Sequence, residues 1–262
     1  MERLIQAGLC RRVPALTVRR FLIPFSVFAC AFAAAANLPA AQDLAVVLDR
    51  NAVVFDRPNG PAEGAFAAYA TGRPEYVMPV GAGNLAAMVS FGVDSLELNL
   101  SKADYLVPDE KGVQALASPA QLSLRFPGLA TNLVFRQTMD IRRGEVRIAC
   151  AEESGTLNLV LSGDRETGAL VVDVDDARKR RKSALLDCRV RRLGGEKTTQ
   201  ALDTDGKSIW HIRESDPTSA RFYSTRIVRA GKSEAAKFRV MIVSETAASA
   251  RAAEELSAAR LA

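Results

Sequence analysis

Residues 96–101 carry the clearest alternation of apolar and polar side chains in this chain. Leu96, Leu98 and Leu100 are separated by single polar residues, and this period of two is typical of a β-strand with one buried face. Residues 85–91 also place larger apolar side chains at every second position, and a short turn joins the two segments. The pair predicts a β-hairpin whose leucines all face the core, because a slip of one residue in the pairing would turn every leucine outward.

Similar short segments recur through most of the chain and are separated by turns that contain Gly or Pro. About ten strands at spacings of about 10 to 15 residues predict an antiparallel β-sandwich, which we place at residues 41–245. Residues 102–119 are polar and irregular, and we expect them to form a surface loop. Beyond the hairpin, strands are predicted, weakly, at 46–55, and then at 121–126, 132–137, 145–150, 157–162, 169–174, 184–192, 208–213, 220–228 and 237–243.

Residues 246–262 have a different composition from the strands. They are rich in Ala, Glu and Arg and begin with a Thr and a Ser, which predicts a helix. Leu256 and Leu261, with scattered Ala, form only a thin apolar face. We therefore expect a linker helix that has little to pack against.

The first 36 residues have the pattern of an export signal. Five Arg precede the apolar run from Phe21 to Ala36, which ends in small residues that include Ala34, Ala35 and Ala36. This order of charged, apolar and small residues predicts a secretory signal peptide. We expect a mature protein that begins near Asn37 or Ala41 and is periplasmic or secreted. The run is shorter than the roughly 20 residues of a spanning helix, so we expect no stable membrane anchor after cleavage; an uncleaved anchor is the alternative.

Removal of this leader changes the charge balance and the cysteine count. Residues 1–36 contain five Arg and one Glu, so the 35 basic and 30 acidic side chains become 30 and 29, a net charge of +1. This value gives no support to a nucleic-acid partner. Cys150 and Cys188 remain; a disulfide, which export permits, and two buried free thiols are both open. With one His and no C-x-x-C motif, we expect no metal site and no cofactor.

A turn rich in glycine precedes the hairpin. Gly81, Gly83 and Asn84 are residue types that tolerate positive φ. The segment 78–91, MPVGAGNLAAMVSF, resembles the MP-[IL]-GNG-x-[IL]-G-x-x-V-[FW] opening of the β-sandwich domain that precedes the catalytic domain in family 95-type glycoside hydrolases. Residues 101–105, SKADY, resemble the S-K-T-D-[AS]-W segment of that domain, with Tyr in place of the Trp.

Two later segments extend the resemblance. Residues 137–148, QTMDIRRGEVRI, are similar to the R-x-L-D-L-x-x-G-x-x-x-[IV] strand pair of these enzymes. Residues 238–259 resemble their closing strand and first linker helix. In this family an (α/α)6 barrel follows and holds the catalytic carboxylate. The 262 residues of this chain do not contain that barrel.

The resemblance implies an N-terminal accessory domain, or a fragment, of an exported glycoside hydrolase that acts on polysaccharide side chains of the α-fucoside or α-galactoside class. It implies carbohydrate and a separately encoded (α/α)6 catalytic domain as partners, and no catalytic residue in the chain itself. A stand-alone carbohydrate-binding module and a structural secreted sandwich remain open as alternatives. The residues expected at the substrate or domain interface are Gly81, Gly83, Asn84, Lys102, Asp104 and Tyr105.

The carboxylates nearest the motif are Glu97, Asp104, Asp109 and Glu110. Glycoside hydrolysis usually needs two carboxyl groups about 5 to 10 Å apart. Glu97 alternates with leucines on a strand, so we favour a solvated position on the polar face. For Asp104, beside Lys102 at a strand end, a turn or ion-pair role is favoured over sugar contact.

His211 and the basic run 178–182 could each contribute to ligand binding, but a structural role also explains both. His211 follows Trp210, and alternation predicts the Trp in the core and the His outward. The basic run 178–182, followed by three further Arg up to residue 192, has the charge to hold an anionic glycan. We favour a solvated hairpin loop for this run.

Overall fold

Antiparallel β-strands make up most of the structure. This computed structural model describes residues 52–59, 77–108, 114–116, 118–179, 181–190, 199–203, 209–216, 220–232 and 235–262. All of them belong to one compact unit of the chain, Ala45–Ala262. The predicted fold class, an all-β antiparallel sandwich with a short C-terminal helix, is confirmed. The predicted signal peptide lies outside the described residues.

The strands follow one another along the chain with a single helix after the last. Their alternating burial, for example on β9 and β10, shows that most have one face toward the core. In chain order the elements are β1 (Val53–Phe55), β2 (Met78–Ala82), β3 (Leu85–Phe91), β4 (Ser95–Lys102), β5 (Leu106–Pro108), β6 (Gln114–Leu116), β7 (Ala120–Arg125), β8 (Val134–Asp140), β9 (Glu145–Glu152), β10 (Gly155–Gly163), β11 (Leu170–Asp176), β12 (Leu185–Val190), β13 (Thr199–Asp203), β14 (Trp210–Asp216), β15 (Arg221–Ala230), β16 (Lys237–Ala247) and α1 (Ala250–Ala259).

Two large sheets form the layers of the sandwich. The nine-stranded sheet has the order β1-β8-β9-β10-β11-β16-β15-β14-β13, and the five-stranded sheet has the order β12-β7-β4-β3-β2. Their inner faces contribute to one continuous apolar core. Phe91 of the five-stranded sheet and Phe135 of the nine-stranded sheet meet across it, with ring centroids 5.7 Å apart.

The central hairpin has the predicted register. Leu96, Leu98 and Leu100 are all buried in the core, with at most 4% of each side chain exposed. Leu98 lies opposite Val89 on one side and Leu122 on the other. The period-two pattern therefore predicted the burial of this strand correctly, because one face of it packs against the other sheet.

The polar segment 102–119 departs from its prediction as an irregular loop. Within it, β5 and β6 pair as a small antiparallel ladder in which Leu106 lies opposite Leu116. Strand β13 was also not predicted. Each of these strands has five residues or fewer, too short for alternation to stand out from a loop.

Helix α1 begins later than predicted and packs closely. Strand β16 continues to Ala247, and the Ser249 side chain caps the helix by accepting a 3.2 Å hydrogen bond from the Ala252 amide. The helix lies against β15 and β16, and Ala253 and Ser257 are buried. The expectation that it has little to pack against is wrong, because small residues let the helix approach the outward face of the sheet.

The two cysteines are free and buried. Cys150 lies on β9 of the nine-stranded sheet and Cys188 on β12 of the five-stranded sheet, so the free-thiol alternative describes this structure. Burial raises the pKa of each thiol to about 12. In the part of the chain that is described, no helix is long and apolar enough to cross a membrane.

Candidate functional site

The β2–β3 turn and the end of β4 lie side by side at one end of the five-stranded sheet. Leu85 pairs with Lys102, and just beyond this pair the Ala103 amide donates a 2.9 Å hydrogen bond to the Asn84 carbonyl oxygen. Gly83 takes a φ of 60° in the turn. The structure thus brings together at this end the six residues expected at an interface, which are Gly81, Gly83, Asn84, Lys102, Asp104 and Tyr105.

These six residues divide into an exposed and a buried group. Gly81, Gly83 and Asn84 are exposed, and 38% of the Asp104 side chain is exposed. We call these four residues the end surface. Lys102 and Tyr105 are buried, with 1% and 2% exposure. They lie beneath the end surface, so a partner that meets this end would touch Asn84 and Asp104 rather than the Lys or the Tyr.

Gly81 lies where Gly163 of the nine-stranded sheet comes close to the turn. A Cβ atom added to Gly163, the last residue of β10, would lie 2.9 Å from the Gly81 carbonyl carbon and 3.0 Å from the Ala82 Cα. Real Cβ atoms essentially never come so close to backbone atoms. Glycine at position 163 therefore allows the two sheets to close against each other beside the end surface.

Lys102 and Asp104 form an ion pair at the boundary between the buried and exposed groups. The Lys102 side chain is fully buried, and its Nζ atom donates a hydrogen bond to Asp104 Oδ1. Burial alone would raise the pKa of Asp104, but hydrogen bonds from Lys102 and Thr246 and the charge of Lys102 lower it overall. Asp104 is consequently ionised at neutral pH.

Two tyrosines and a buried carboxylate form the base beneath the end surface. The Tyr105 hydroxyl donates a hydrogen bond to Glu214 Oε1, and Tyr105 meets Tyr223 edge to face with ring centroids 4.6 Å apart. The Tyr223 hydroxyl and Arg221 Nη1 donate to the Asp104 carbonyl oxygen, over 3.3 and 3.2 Å. These contacts fix the backbone of the residue that carries the exposed carboxylate.

Sequence reasoning did not find the residues that β14 and β15 contribute to this base. Tyr105 and Glu214 are 109 positions apart, and Asp104 and Tyr223 are 119 apart. The signal that could have found Glu214 is its place in alternation with Trp210 and Ile212. That alternation assigns a carboxylate to the inner face, where a hydrogen-bond partner is required.

Glu97 and Asp104, the two described carboxylates near the motif, do not form a glycosidase pair. Glu97 lies on the outward face of β4, where it accepts a 2.7 Å hydrogen bond from the Ser123 hydroxyl. It precedes Lys102 by five residues of the same strand, about 17 Å at a strand rise of about 3.4 Å per residue. That distance exceeds the spacing of about 5 to 10 Å between catalytic carboxyl groups. Asp109 and Glu110 lie outside the described residues.

His211 does not point into solvent as predicted. Trp210 packs partly buried against the core, Ile212 is buried there, and His211 faces the other side of the sheet. That side is covered by α1, so only 3% of His211 is exposed. His211 Nε2 is 2.9 Å from Ser224 Oγ, which is 2.8 Å from Ser257 Oγ of the helix. The prediction failed because alternation gives the face of a strand and not what packs on that face.

The basic run begins with a buried residue and not with a solvated one. Arg178 is 1% exposed and forms two 2.8 Å hydrogen bonds to the carboxylate of Asp176. A Cβ on Gly155 would lie 2.5 Å from the neighbouring Ala177 carbonyl oxygen, so this corner is tightly packed. The paired Arg178 is unsuited to hold a glycan. Lys179, Arg181 and Lys182 are exposed, and Arg180, Arg191 and Arg192 lie outside the described side chains.

Among the described residues, no group of three or more His, Cys, Asp or Glu side chains could hold a metal ion. No protein-family model matches this chain, and no curated protein matches it either. The geometry of the sandwich end and the motif residues on it are therefore the basis for a functional proposal.

Proposed function

We propose that this protein is a non-catalytic β-sandwich domain of an exported glycoside hydrolase system, and that its end surface contacts an (α/α)6 catalytic domain. The substrates of the system would be polysaccharide side chains of the α-fucoside or α-galactoside class, as the resemblance to family 95-type enzymes implies. The observation that carries the proposal is the placement of Asn84 and Asp104 side by side at one exposed end of the sandwich.

The end surface has the properties of a preorganised polar contact. Its carboxylate belongs to a residue whose carbonyl oxygen is held by Tyr223 and Arg221 and whose side chain is held by Lys102. Partners that are fixed before binding lose less conformational entropy when a complex forms. An ionised Asp and an exposed Asn amide suit a domain interface or a hydroxyl-rich ligand, because both provide hydrogen-bond acceptors and the amide also donates.

The Asp104 carboxylate is poorly suited to catalysis. A general acid in glycoside hydrolysis needs a raised pKa so that it still carries a proton near neutral pH. The pKa of Asp104 is lowered, and Glu97 lies too far along β4 to act with it. Glu214 is only 5% exposed and accepts a hydrogen bond from Tyr105. We therefore assign the chemistry to the partner domain.

The test is complementation of a catalytic domain by the sandwich. Purified residues 41–262 should show no turnover of aryl α-L-fucosides or α-galactosides alone, and should form a complex that restores activity with an (α/α)6 domain encoded next to it. Asn84→Ala and Asp104→Asn should each weaken this complex. Asn132→Ala is a matched control, because Asn132 is also an exposed turn residue but precedes β8 at the opposite end of the nine-stranded sheet.

The register supports the choice of this control. Strand β8 starts at Val134, which pairs with Ala151 of β9, and Ala151 pairs with Thr156 at the beginning of β10. Gly163, which approaches Gly81, is at the other end of β10. Thermal unfolding must show that all three variants are folded at the assay temperature before binding is compared. Equal binding by wild-type protein and by both end-surface variants would refute the assignment of the interface.

A further inference from the structure

The outward face of the nine-stranded sheet contains a groove that helix α1 does not cover. One depression of about 540 Å³ lies over β8, β9 and β10, and another of about 490 Å³ lies over β10, β11 and β16. Asn158 and Val160 line both depressions, so the two adjoin along β10. We call the two together the sheet groove. It lies on a different face from the end surface.

The strand register explains why the surface of the sheet is depressed at these positions. One row of paired residues across five strands places the small Ala149 between the longer Arg136 and Asn158. The row continues to Asp175 and Lys237. Because neighbouring strands lie about 4.8 Å apart, the row from β8 to β16 spans about 19 Å, which is long enough for several sugar units of a chain.

The charges of the sheet groove are balanced at one end and unbalanced at the other. Over β11 and β16, Arg239 donates to both oxygens of Asp173 over 2.6 and 2.9 Å, and Lys237 lies 2.9 Å from Asp175. Over β8, Arg136 is exposed and forms no hydrogen bond or ion pair with any residue that the structure describes. The β8 end therefore has a guanidinium group with no described ion-pair partner; Asp140, which also lines this depression, lies 3.8 Å from Arg143.

The polar side chains beside Arg136 make this end of the sheet groove suitable for binding an acidic sugar. Thr138 follows Arg136 on the same face of β8, and Asn158 is in the same row, so a hydroxyl and an amide line the depression beside the guanidinium. Arg147, opposite Thr138, is already held by Glu145 through Nε and Nη2. A guanidinium binds a planar carboxylate or a sulfate through parallel hydrogen bonds, while Thr and Asn bind hydroxyl groups.

We propose that the sheet groove binds an anionic oligosaccharide, with Arg136 contacting a carboxylate or sulfate group and Thr138 and Asn158 contacting ring hydroxyls. A single-stranded nucleic acid fits less well, because binding of its bases depends on aromatic stacking. Phe238 lines one depression but belongs to the core and is only 7% exposed, and the outward residues of β8, β9, β10, β11 and β16 include no aromatic ring within the described part. The inference goes beyond the proposed function, since it needs neither the end surface nor a catalytic domain.

Isothermal titration of purified residues 41–262 tests this site with four probes. These are an oligogalacturonate, which carries carboxylates, a sulfated galacto-oligosaccharide, a neutral galacto-oligosaccharide of equal length, and a single-stranded oligodeoxynucleotide. We expect one or both acidic saccharides to bind, with affinity that falls as salt is raised because exposed charges are screened. The two acidic probes distinguish a carboxylate ligand from a sulfate ligand. Tighter binding of the neutral saccharide or the oligodeoxynucleotide, or no binding of either acidic saccharide, would overturn the proposal.

Variants locate the site. Arg136→Gln should weaken binding of the acidic saccharide about tenfold, the size expected for loss of one charge-assisted hydrogen-bonding group. Arg125→Gln is the matched control, because Arg125 is also exposed and lies on β7 of the other sheet. It removes the same net charge and should leave affinity within about twofold. Equal losses in the two variants would show nonspecific charge attraction and contradict a site in the sheet groove.

Discussion

The close approach of Gly163 to Gly81 makes a sharp prediction about how the sandwich end is built. Replacing Gly163 by Ala places a methyl group against the backbone of the other sheet, 2.9 Å from the Gly81 carbonyl carbon. Replacing Gly81 by Ala adds the same methyl group to the other residue of this close pair. The atoms nearest to that methyl group are the Leu85 carbonyl oxygen at 3.6 Å and the Ala86 Cβ at 3.8 Å, which are ordinary van der Waals distances.

The two variants should therefore differ greatly in stability. Inserted methyl groups in packed sites cost about 1 to 3 kcal/mol, and Gly163→Ala should reach about 3 kcal/mol because the opposing atoms are backbone and cannot rotate away. Gly81→Ala should change the free energy of unfolding by less than about 1 kcal/mol, since Ala in a strand also avoids the entropic cost of Gly. Both carry one extra methyl group, so each controls for the chemistry of the other.

Urea unfolding followed by the fluorescence of Trp210 measures the difference, because this only tryptophan is partly buried against the core. Gly163→Ala should lower the midpoint by about 1 M or more, given a slope of a few kcal/mol per M. Gly81→Ala should stay close to wild type. If Gly163→Ala unfolds at the wild-type midpoint, or if Gly81→Ala is the more damaging change, the packing of β10 against β2 described above is wrong.

Three further predictions concern the two thiols, the Asp104 carboxylate and the Ser257 hydroxyl. Cys150 and Cys188, whose pKa values burial raises to about 12, should resist alkylation at pH 8 in folded protein and react in urea; rapid labelling without urea would contradict their burial. Because the pKa of Asp104 is lowered in the folded protein, its carboxylate stabilises the fold above pH 3.8, and this contribution is lost as pH falls through the lower native pKa. In Asp104→Asn the free energy of unfolding should therefore depend less on pH in that range. Ser257→Ala should cost about 1 to 3 kcal/mol in urea unfolding because it leaves buried partners of the hydroxyl unsatisfied, and a neutral change would argue against the contact of α1 with β15.

The parts of the fold that sequence predicted well are those with one face in the core and one in solvent. Strand β3 has the predicted bounds, and β4 differs by one residue at each end. Their leucines, valine and phenylalanine must be removed from water while the polar side chains between them need not be. The alternation is therefore a direct record of the environment, and it also predicts which side of the strand faces the other sheet.

The parts that could not be predicted depend on contacts between distant segments. The burial of His211 depends on α1 covering its side of β14, and the pairing of Tyr105 with Glu214 depends on how the two sheets are aligned. The local periodicity of the sequence predicts neither of these contacts. The proximity of Asn84 and Asp104 could be predicted because they flank β3 and β4, which are neighbours in both sequence and space. The residues beneath them were missed because β14 and β15 come more than a hundred residues later.

The central claim, that the sandwich recognises a partner at its end and performs no hydrolysis, is tested most directly by kinetics with and without that partner. Purified residues 41–262 are assayed on an aryl α-L-fucoside and an aryl α-galactoside, first alone and then with the neighbouring (α/α)6 domain. The account predicts no turnover alone, turnover when both domains are present, and weaker complementation by Asn84→Ala than by Asn132→Ala. Turnover by the sandwich alone that is lost in Asp104→Asn would contradict it, since a carboxylate held in its ionised form by Lys102 would then be a catalytic group.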